Sequence, residues 1–273
     1  MPDWKSPSEL TRDSLFLAKL LHGCFGWAIW EYISHLRYEW DVYRGKTQYR
    51  WTIWVYTSCR VAMLSTFVFD SIAINGGTQR YCTALFMLGT ASGYMAISLA
   101  SLLIVLRITA VWGKRTTVVI CSYILWLSSL ALNVHNVALL RASYNTASRA
   151  CLPYHTDTFL PNAIGILVSD TMLLALMLAG ILRVRRDAMK RGISDILYRQ
   201  AIVWLIVAIL AEVPVVIFAI LDLNDPLIVM FQPIELVSLV ICAGHMYRAL
   251  LDYVYEPSTS IPLIKLASTQ PHI

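Results

Sequence analysis

The chain has 273 residues, of which 58% are hydrophobic and only 14% are charged, and its mean hydropathy is +0.60. Because soluble domains carry about a quarter of charged residues, this composition excludes an ordinary soluble protein and indicates a helical membrane protein. The net charge of +5 does not indicate nucleic-acid binding, since the Lys and Arg residues are scattered between the hydrophobic runs.

Seven hydrophobic runs are each long enough for a helix, at about 1.5 Å per residue, to cross a bilayer core of about 30 Å. The clearest run is Cys82–Trp112, which contains no Asp, Glu or Lys. We therefore predict an all-α, polytopic, seven-transmembrane helix bundle in residues 1–255, followed by a short cytoplasmic tail in residues 256–273. The predicted helices are about 14–36, 51–74, 82–112, 117–140, 158–184, 200–221 and 226–253.

The basic residues are unequally divided between the two sides of the predicted bundle. Loops one, three and five and the C-terminal tail hold 15 of the 22 Lys and Arg residues, whereas the N-terminus and the even-numbered loops hold 6, and Arg60 lies inside the second helix. Because short cytoplasmic loops are enriched in Lys and Arg, we predict the N-terminus outside and the C-terminus inside. We expect this protein in the plasma membrane or an endomembrane.

Two of the six cysteines lie on the predicted outer side. Cys82 begins the third helix and Cys151 lies in outer loop four, so a disulfide could hold that loop over the bundle, the alternative being two free thiols. The other four fall within helices and are interpreted as small buried hydrophobic residues: Cys24, Cys59, Cys121 and Cys242. No spacing of Cys and His indicates a metal site.

Ionisable side chains occur at membrane depth, where an exposed charge costs about 2.5 to 3.5 kcal/mol or more. Such groups should face the bundle interior, so we predict a polar cavity that opens outward and binds a cationic ligand or protons. The alternative is a hydrogen-bonded network that only holds the helices together. Arg60 is expected to pair with one of the acids. The predicted cavity residues are Asp70, Asn133, His135, Asn136, Asp170, Glu212 and Glu235.

Basic residues at the predicted inner side suit anionic lipid headgroups or a cytosolic signalling partner. Arg107, near the inner end of the third helix, is expected to reach toward the headgroups. Lipid contact alone is the commoner explanation for such residues. The predicted contact residues are Arg107, Lys114, Arg115, Arg183, Arg185, Arg186, Lys190 and Arg191.

Patterns typical of catalysis are absent from the sequence, which has no nucleophile elbow and no Gly-rich phosphate loop. We therefore do not expect an enzyme or a cofactor. Pro214 and Pro233 are predicted inside helices six and seven, where each would produce a kink that could act as a hinge.

Several stretches resemble a family of fungal seven-transmembrane proteins, found mainly in basidiomycetes, that is known only as a domain of unknown function. They lie between Trp30 and Val213 and are Trp30-Glu31-Tyr32-Ile33-Ser34-His35-Leu36 with its continuation to Trp40, Leu106-Arg107-Ile108-Thr109-Ala110-Val111-Trp112-Gly113, Ala150-Cys151, and Ile196-Leu197-Tyr198-Arg199. The resemblance implies a multi-pass fungal membrane protein and implies no biochemical activity.

The predicted function is that of a receptor-like membrane protein, which senses a small molecule in its outer cavity and contacts a cytosolic partner through its inner loops. Two alternatives stay open. One is a proton- or cation-coupled transporter that uses the acids at mid-membrane depth. The other is a structural membrane scaffold with no ligand and a filled interior, which would lack a continuous outward cavity that reaches Asp170 and Glu212.

Overall fold

Helices form nearly all of the described chain. The computed structural model describes residues 6–44, 51–75, 81–113, 115–145, 150–154, 159–186, 191–221 and 224–255. In chain order the elements are α1 (Pro7–Tyr43), α2 (Thr52–Asn75), α3 (Cys82–Trp112), α4 (Thr116–Leu139), β1 (Arg141–Asn145), β2 (Ala150–Tyr154), α5 (Phe159–Arg186), α6 (Arg191–Leu221), α7 (Asp225–Val229) and α8 (Gln232–Tyr255). The predicted tail, residues 256–273, lies outside the described residues.

Six of the described helices are long and apolar enough to cross a membrane. Their apolar spans are Thr52–Ile74, Cys82–Trp112, Thr116–Leu139, Phe159–Arg183, Ala201–Leu221 and Pro226–Arg248. The chain is therefore an integral, multi-pass membrane protein whose helices contact the lipid bilayer. The last span includes part of α7 and most of α8.

Helix α4 shows an inverted pattern of burial that fits a lipid environment. Its buried residues are polar, Ser122, Ser129, Asn133 and Asn136. Its exposed residues include large apolar side chains, among them Ile120, Ile124, Leu127 and Val134. A helix in water would bury the apolar residues, whereas in lipid polar side chains hold helices together and apolar ones face outward. The faces of α4 are thus those expected of a transmembrane helix.

Helix α1 is longer than predicted, with 37 residues instead of a span over 14–36. Ser6 caps its N-terminus by accepting a hydrogen bond from the Glu9 amide, and Pro7 occupies the first turn, where a missing N–H costs nothing. Hydropathy could not predict the C-terminal extension to Tyr43, because that part contains charged residues. The buried side of the extension includes Glu39 and Val42, which pack toward the bundle.

The last predicted span, 226–253, is divided in the structure. The short helix α7 ends at Val229, and α8 starts at Gln232. The prediction that Pro233 lies inside a helix is therefore wrong, since it occupies the first turn of α8, where proline fits without a kink. Pro214 does lie inside α6 as predicted.

Outer loop four also differs from the prediction, because part of it forms a small antiparallel β-hairpin. Arg141 pairs with Tyr154, and Asn145 pairs with Ala150. The hairpin lies against α2, α3 and α7 at the end of the bundle where α3 begins. It therefore covers part of the predicted outer side.

Two glycines allow α2 and α3 to pack closely. Gly89 and Gly93 are four residues apart on α3, which is the small-residue spacing used between membrane helices. A Cβ on Gly89 would collide with the Asp70 carboxylate, and a Cβ on Gly93 would lie 3.3 Å from Thr66 Cγ2. The Asp70 carboxylate therefore occupies space that only a glycine leaves open.

Candidate functional site

A cavity of about 460 Å³ lies in the half of the bundle that contains the N-terminal ends of α1 and α3. This is the predicted outer half. Leu15, on the rim, is 60% exposed, so the cavity reaches the surface beside the first turns of α1. The wall includes Leu17 and Leu21 of α1, Phe67 and Asp70 of α2, Tyr94 and Ile97 of α3, Asn162 and Ile166 of α5, and Gln232 and Glu235 of α8.

The polar groups of this outer cavity come from five helices, α1, α2, α3, α5 and α8. The Asp70 carboxylate lies over Gly89 at the α2–α3 contact. Elsewhere in the wall, the Tyr94 hydroxyl accepts a hydrogen bond of 2.7 Å from Asn136 Nδ2. It is also hydrogen-bonded to Asn162. The Asn162 Oδ1 atom is buried and has no hydrogen-bond partner, which leaves it available to a guest.

The outer cavity has an acidic character. Asp70 and Glu235 contribute carboxyl groups, and none of the described residues that line the cavity is Lys, Arg or His. Most of the remaining wall is apolar. The arrangement suits a molecule with an apolar body and one positively charged group.

Three carboxyl groups lie together deeper in the bundle. Glu212 on α6 interacts electrostatically with Asp170 on α5 and with Glu235 on α8. Ser101 on α3 donates a hydrogen bond of 2.7 Å to Asp170 Oδ1, whereas Glu212 Oε1 is buried without a partner. These three acids are almost completely buried, with 2 to 5% exposure. Glu235 belongs both to this cluster and to the wall of the outer cavity.

The structure brings together only some of the predicted cavity residues. Asp70 and Glu235 line the outer cavity, and Asn136 reaches it through Tyr94. His135 is exposed on the side of α4 that faces away from the bundle, so its predicted place in the cavity was wrong. Asn133 donates to Ser98 Oγ at 3.2 Å and is absent from the lining.

Asp170 and Glu212, also predicted to line the outer cavity, do not line it. Residue counting along the helices could not give the direction of each side chain. Asp170 instead lines a second, much smaller cavity of about 10 Å³, together with Trp204.

The predicted partner of Arg60 was also wrong. Its guanidinium forms a buried ion pair with Glu39 on α1, not with any of the four predicted acids. Arg60 also donates to Tyr56 Oη at 3.1 Å and to the carbonyl oxygens of Glu31 at 3.0 Å and Tyr32 at 2.8 Å. Sequence reasoning missed Glu39 because the first helix was expected to end at Leu36.

Arg248 on α8 is also buried, and it extends the hydrogen-bond network around Arg60. It donates to Tyr56 Oη at 2.6 Å and to Glu31 Oε1 at 3.0 Å. The same Glu31 oxygen lies 3.1 Å from His35 Nδ1 and 3.6 Å from His245 Nε2. A sequence signal existed for part of the network, because Glu31, His35 and Glu39 recur every four residues and so share one face of α1.

The described basic residues at the predicted inner end differ in their exposure. Arg107 is only 5% exposed, which contradicts its predicted contact with headgroups, and its Nη2 atom has no hydrogen-bond partner. Arg115 and Arg183 are exposed, and each guanidinium lies 5.9 Å from the centre of the Trp112 ring. Lys114 and Lys190, and the side chains of Arg185, Arg186 and Arg191, lie outside the described part.

The cysteines follow the prediction in part. Cys82 is disulfide-bonded. The side chain of Cys151, its predicted partner, lies outside the described residues, so this pairing stays a prediction. Cys24, Cys59 and Cys242 are buried free thiols as expected, but Cys121 is exposed on α4, and its predicted burial was wrong.

Within the described part of the chain, no three His, Cys, Asp or Glu side chains are grouped as a metal ion would require. No protein-family model matches the sequence, and no curated protein matches it. The resemblance to the fungal family therefore stays a prediction. The chain is therefore an integral multi-pass membrane protein, with six apolar helices among its described residues.

Proposed function

We propose that this protein is a receptor-like, seven-transmembrane protein that binds a small molecule in its outer cavity. The ligand would have an apolar body and a positively charged group. The proposal depends on one observation, the cavity of about 460 Å³ with Asp70 and Glu235 in its wall and no described basic residue beside them. We also propose membership of the fungal seven-transmembrane family, on the stretches named above.

The seventh span would be α1. Its exposed side carries large apolar residues along much of its length: Leu15, Phe16, Trp27, Ile29, Trp30, Ile33, Leu36 and Trp40. Such a face is expected to contact lipid. The opposite face packs on α2 and α8. Lys19 and His22 are exposed, and their long or amphipathic side chains can reach toward an interface.

The proposed orientation, with the N-terminus outside, is supported by the residues at the opposite end of the bundle. Trp40, Trp51 and Trp54 are more than half exposed near the C-terminus of α1 and the N-terminus of α2. Arg115 and Arg183 are exposed at the same end. Aromatic residues at an interface, combined with basic residues, are typical of the cytoplasmic side of a membrane protein. That surface would also meet anionic lipids and a cytosolic signalling partner.

The outer cavity does not reach Asp170 and Glu212. Its volume nevertheless favours ligand binding over a scaffold role, since a scaffold needs no space of this size between its helices. A transporter would use the same cavity but would also move its guest across the membrane. Uptake of a bound amine into proteoliposomes would favour the transporter, whereas binding without uptake, together with recruitment of a cytosolic partner, would favour the receptor.

A thermal-shift screen of the purified full-length protein tests ligand binding. Each amphipathic amine is compared with a neutral analogue of the same shape, since a ligand that binds only the folded state stabilises it. We expect amines to raise the unfolding temperature and the neutral analogues to have no effect. Asp70→Asn should reduce this rise in unfolding temperature. His135→Asn, a substitution on the side of α4 that faces away from the bundle, should retain it. An equal response to amines and neutral analogues would contradict the proposal.

A further inference from the structure

We propose that a pH-sensitive contact joins α1, α6 and α8. The contact is formed while the His245 imidazole is neutral, and it opens when that imidazole takes up a proton. At its centre are four side chains that we call the Glu31 cluster: Glu31 and His35 on α1, and His245 and Arg248 on α8. The proposal is independent of ligand binding, because none of these residues lines the outer cavity.

One hydrogen bond fixes the protonation state of His245. Arg248 Nη2 lies 3.1 Å from His245 Nδ1. A guanidinium group has only N–H donors, so the Nδ1 atom must accept this hydrogen bond with its lone pair. The ring proton is then on Nε2. His245 is therefore neutral in this arrangement, in one defined tautomer.

The other side of the imidazole is consistent with the same tautomer. His245 Nε2 lies 3.6 Å from Glu31 Oε1, so its proton is beside a carboxylate. The same carboxylate oxygen accepts a hydrogen bond of 3.0 Å from Arg248 Nη2. A guanidinium Nη atom carries two hydrogens, so Arg248 Nη2 has one for the carboxylate and one for the imidazole.

A proton on His245 Nδ1 is incompatible with this arrangement. Both nitrogens of an imidazolium are donors, so an Nδ1–H would face an N–H of Arg248, with two positive charges in contact. Arg248 is held in place, because its Nη1 atom also donates to the buried Tyr56 hydroxyl at 2.6 Å. The His245 side chain is 40% exposed. We therefore expect the imidazole, rather than the guanidinium, to move away.

His245 is also a contact between α8 and α6. Its ring stacks on the Trp204 indole, with 5.7 Å between the ring centres and 17° between the ring planes. Rotation of the imidazole away from Arg248 would separate the two rings. A single protonation would therefore loosen the contact of α8 with α6 and with α1 at the same time.

The charges around His245 are balanced only while it is neutral. Trp204 on α6 is uncharged, and two carboxylates offset two guanidinium groups on the other three helices. His35 lies beside the same Glu31 carboxylate, with its ring centre 5.6 Å from that of His245, so a proton on His35 would add to the repulsion. The described groups are Glu31, His35, Glu39, Tyr56, Arg60, His245 and Arg248.

The response to pH has a definite sign. The contact is complete above the pH at which His245 titrates, and it is lost as the pH falls through that value. Histidine ordinarily changes its charge between about pH 5 and pH 8. Mild acid should therefore open the contact.

Hydrogen exchange in the full-length protein in detergent tests the proposal. Exchange is followed by mass spectrometry at about pH 7.5 and about pH 5.5, on either side of an ordinary histidine titration, and is corrected for the intrinsic effect of pH on amide exchange. We expect peptides around His245 and Trp204 to exchange about tenfold faster in acid, because local opening exposes their amides. Peptides of α4, which lies outside the contact, should exchange equally at the two pH values.

Two substitutions remove the titrating group in different ways, so that one serves if the other does not fold. His245→Asn retains an acceptor for Arg248, and His245→Phe retains an aromatic ring beside Trp204. Neither side chain takes up a proton, so each variant should exchange equally at the two pH values. His135→Asn, on the side of α4 that faces away from the bundle, should respond to acid as the wild type does.

Three results would overturn the proposal. The first is equal exchange of the wild type at the two pH values. The second is a full response to acid in a folded His245→Asn or His245→Phe variant, since another group would then be responsible. The third is an acceleration in α4 as large as that in α6 and α8, because the opening would then be global.

Discussion

The Tyr56 hydroxyl on α2 accepts a hydrogen bond of 2.6 Å from Arg248 on α8 and one of 3.1 Å from Arg60, one turn along α2. Tyr56 is completely buried, and its ring stacks on Tyr247 with 5.2 Å between the ring centres. A single phenol oxygen thus joins two buried guanidinium groups. Because Arg60 pairs with Glu39 and Arg248 pairs with Glu31, this oxygen connects two ion pairs that link α1, α2 and α8.

Removal of the Tyr56 hydroxyl should destabilise the contact between α1, α2 and α8. In Tyr56→Phe both arginines lose an acceptor, and an unsatisfied buried donor costs about 1 to 3 kcal/mol. We expect a lower unfolding temperature in detergent. Tyr43→Phe is the matched control, since the Tyr43 hydroxyl donates to Thr57 on the exposed surface and its loss should have little effect. Equal unfolding temperatures for Tyr56→Phe and wild type would show that the phenol has no such role.

Loss of the ion pair between Arg60 and Glu39 should lower the free energy of unfolding far more than loss of an exposed ion pair. Both side chains are at most 5% exposed, so Glu39→Gln leaves a buried charge without its partner, which costs about 3 to 5 kcal/mol. Glu9 pairs with Arg12, whose side chain is 66% exposed. Glu9→Gln should change the free energy of unfolding by less than about 1 kcal/mol. Chemical denaturation of the two variants measures the difference, and similar losses would contradict the importance of burial.

Gly89→Ala should disrupt the contact between α2 and α3. Its Cβ would collide with the Asp70 carboxylate, and overpacking of this kind costs about 1 to 3 kcal/mol. Gly26→Ala on α1 is the control, because a Cβ there meets no atom within 4 Å. The double variant Gly89→Ala/Asp70→Ala should recover much of the lost stability, since the colliding carboxylate is absent. Thermal unfolding of the variants in detergent forms a double-mutant cycle, and simple additivity would exclude the steric explanation.

The partner of the disulfide-bonded Cys82 should be Cys151. Digestion of the non-reduced protein, followed by mass spectrometry, should yield a peptide pair that joins these two residues and separates on reduction. Cys82→Ser should lower the free energy of unfolding by about 2 to 4 kcal/mol, because the disulfide closes a long loop. Cys121→Ser removes an exposed free thiol and should have no comparable effect. A linked peptide that contains another cysteine would correct the assignment.

Hydrophobicity predicted the membrane-spanning helices well where the spans were uniformly apolar. The structure places α3 at Cys82–Trp112, with the predicted bounds. The prediction was less accurate for α1, since hydropathy decreases where Arg37, Glu39 and Asp41 follow the apolar run. Once Glu39 pairs with Arg60, these residues no longer prevent the helix from continuing. A tertiary contact therefore explains part of a helix that local composition could not predict.

The residue types of the candidate site could be predicted from the sequence, but the directions of its side chains could not. Asp70 and Glu235 line the outer cavity, as predicted. His135 instead points away from the bundle, and Arg107 is buried. One residue along a helix rotates a side chain by about 100°. A hydrophobic pattern without a clear polar face leaves this rotation undetermined, so the orientation of each helix had to come from its neighbours.

The sequence by itself determined that this chain enters a membrane and that its backbone there is helical, because long apolar runs in lipid must satisfy their hydrogen bonds internally. Only the tertiary structure decided which polar groups meet. The Asp70 carboxylate fits over Gly89, Arg60 pairs with Glu39, and Glu212 interacts with Asp170 and Glu235. The physical reason is that hydropathy depends on the residues of one segment, whereas these contacts depend on the rotation and packing of several helices together.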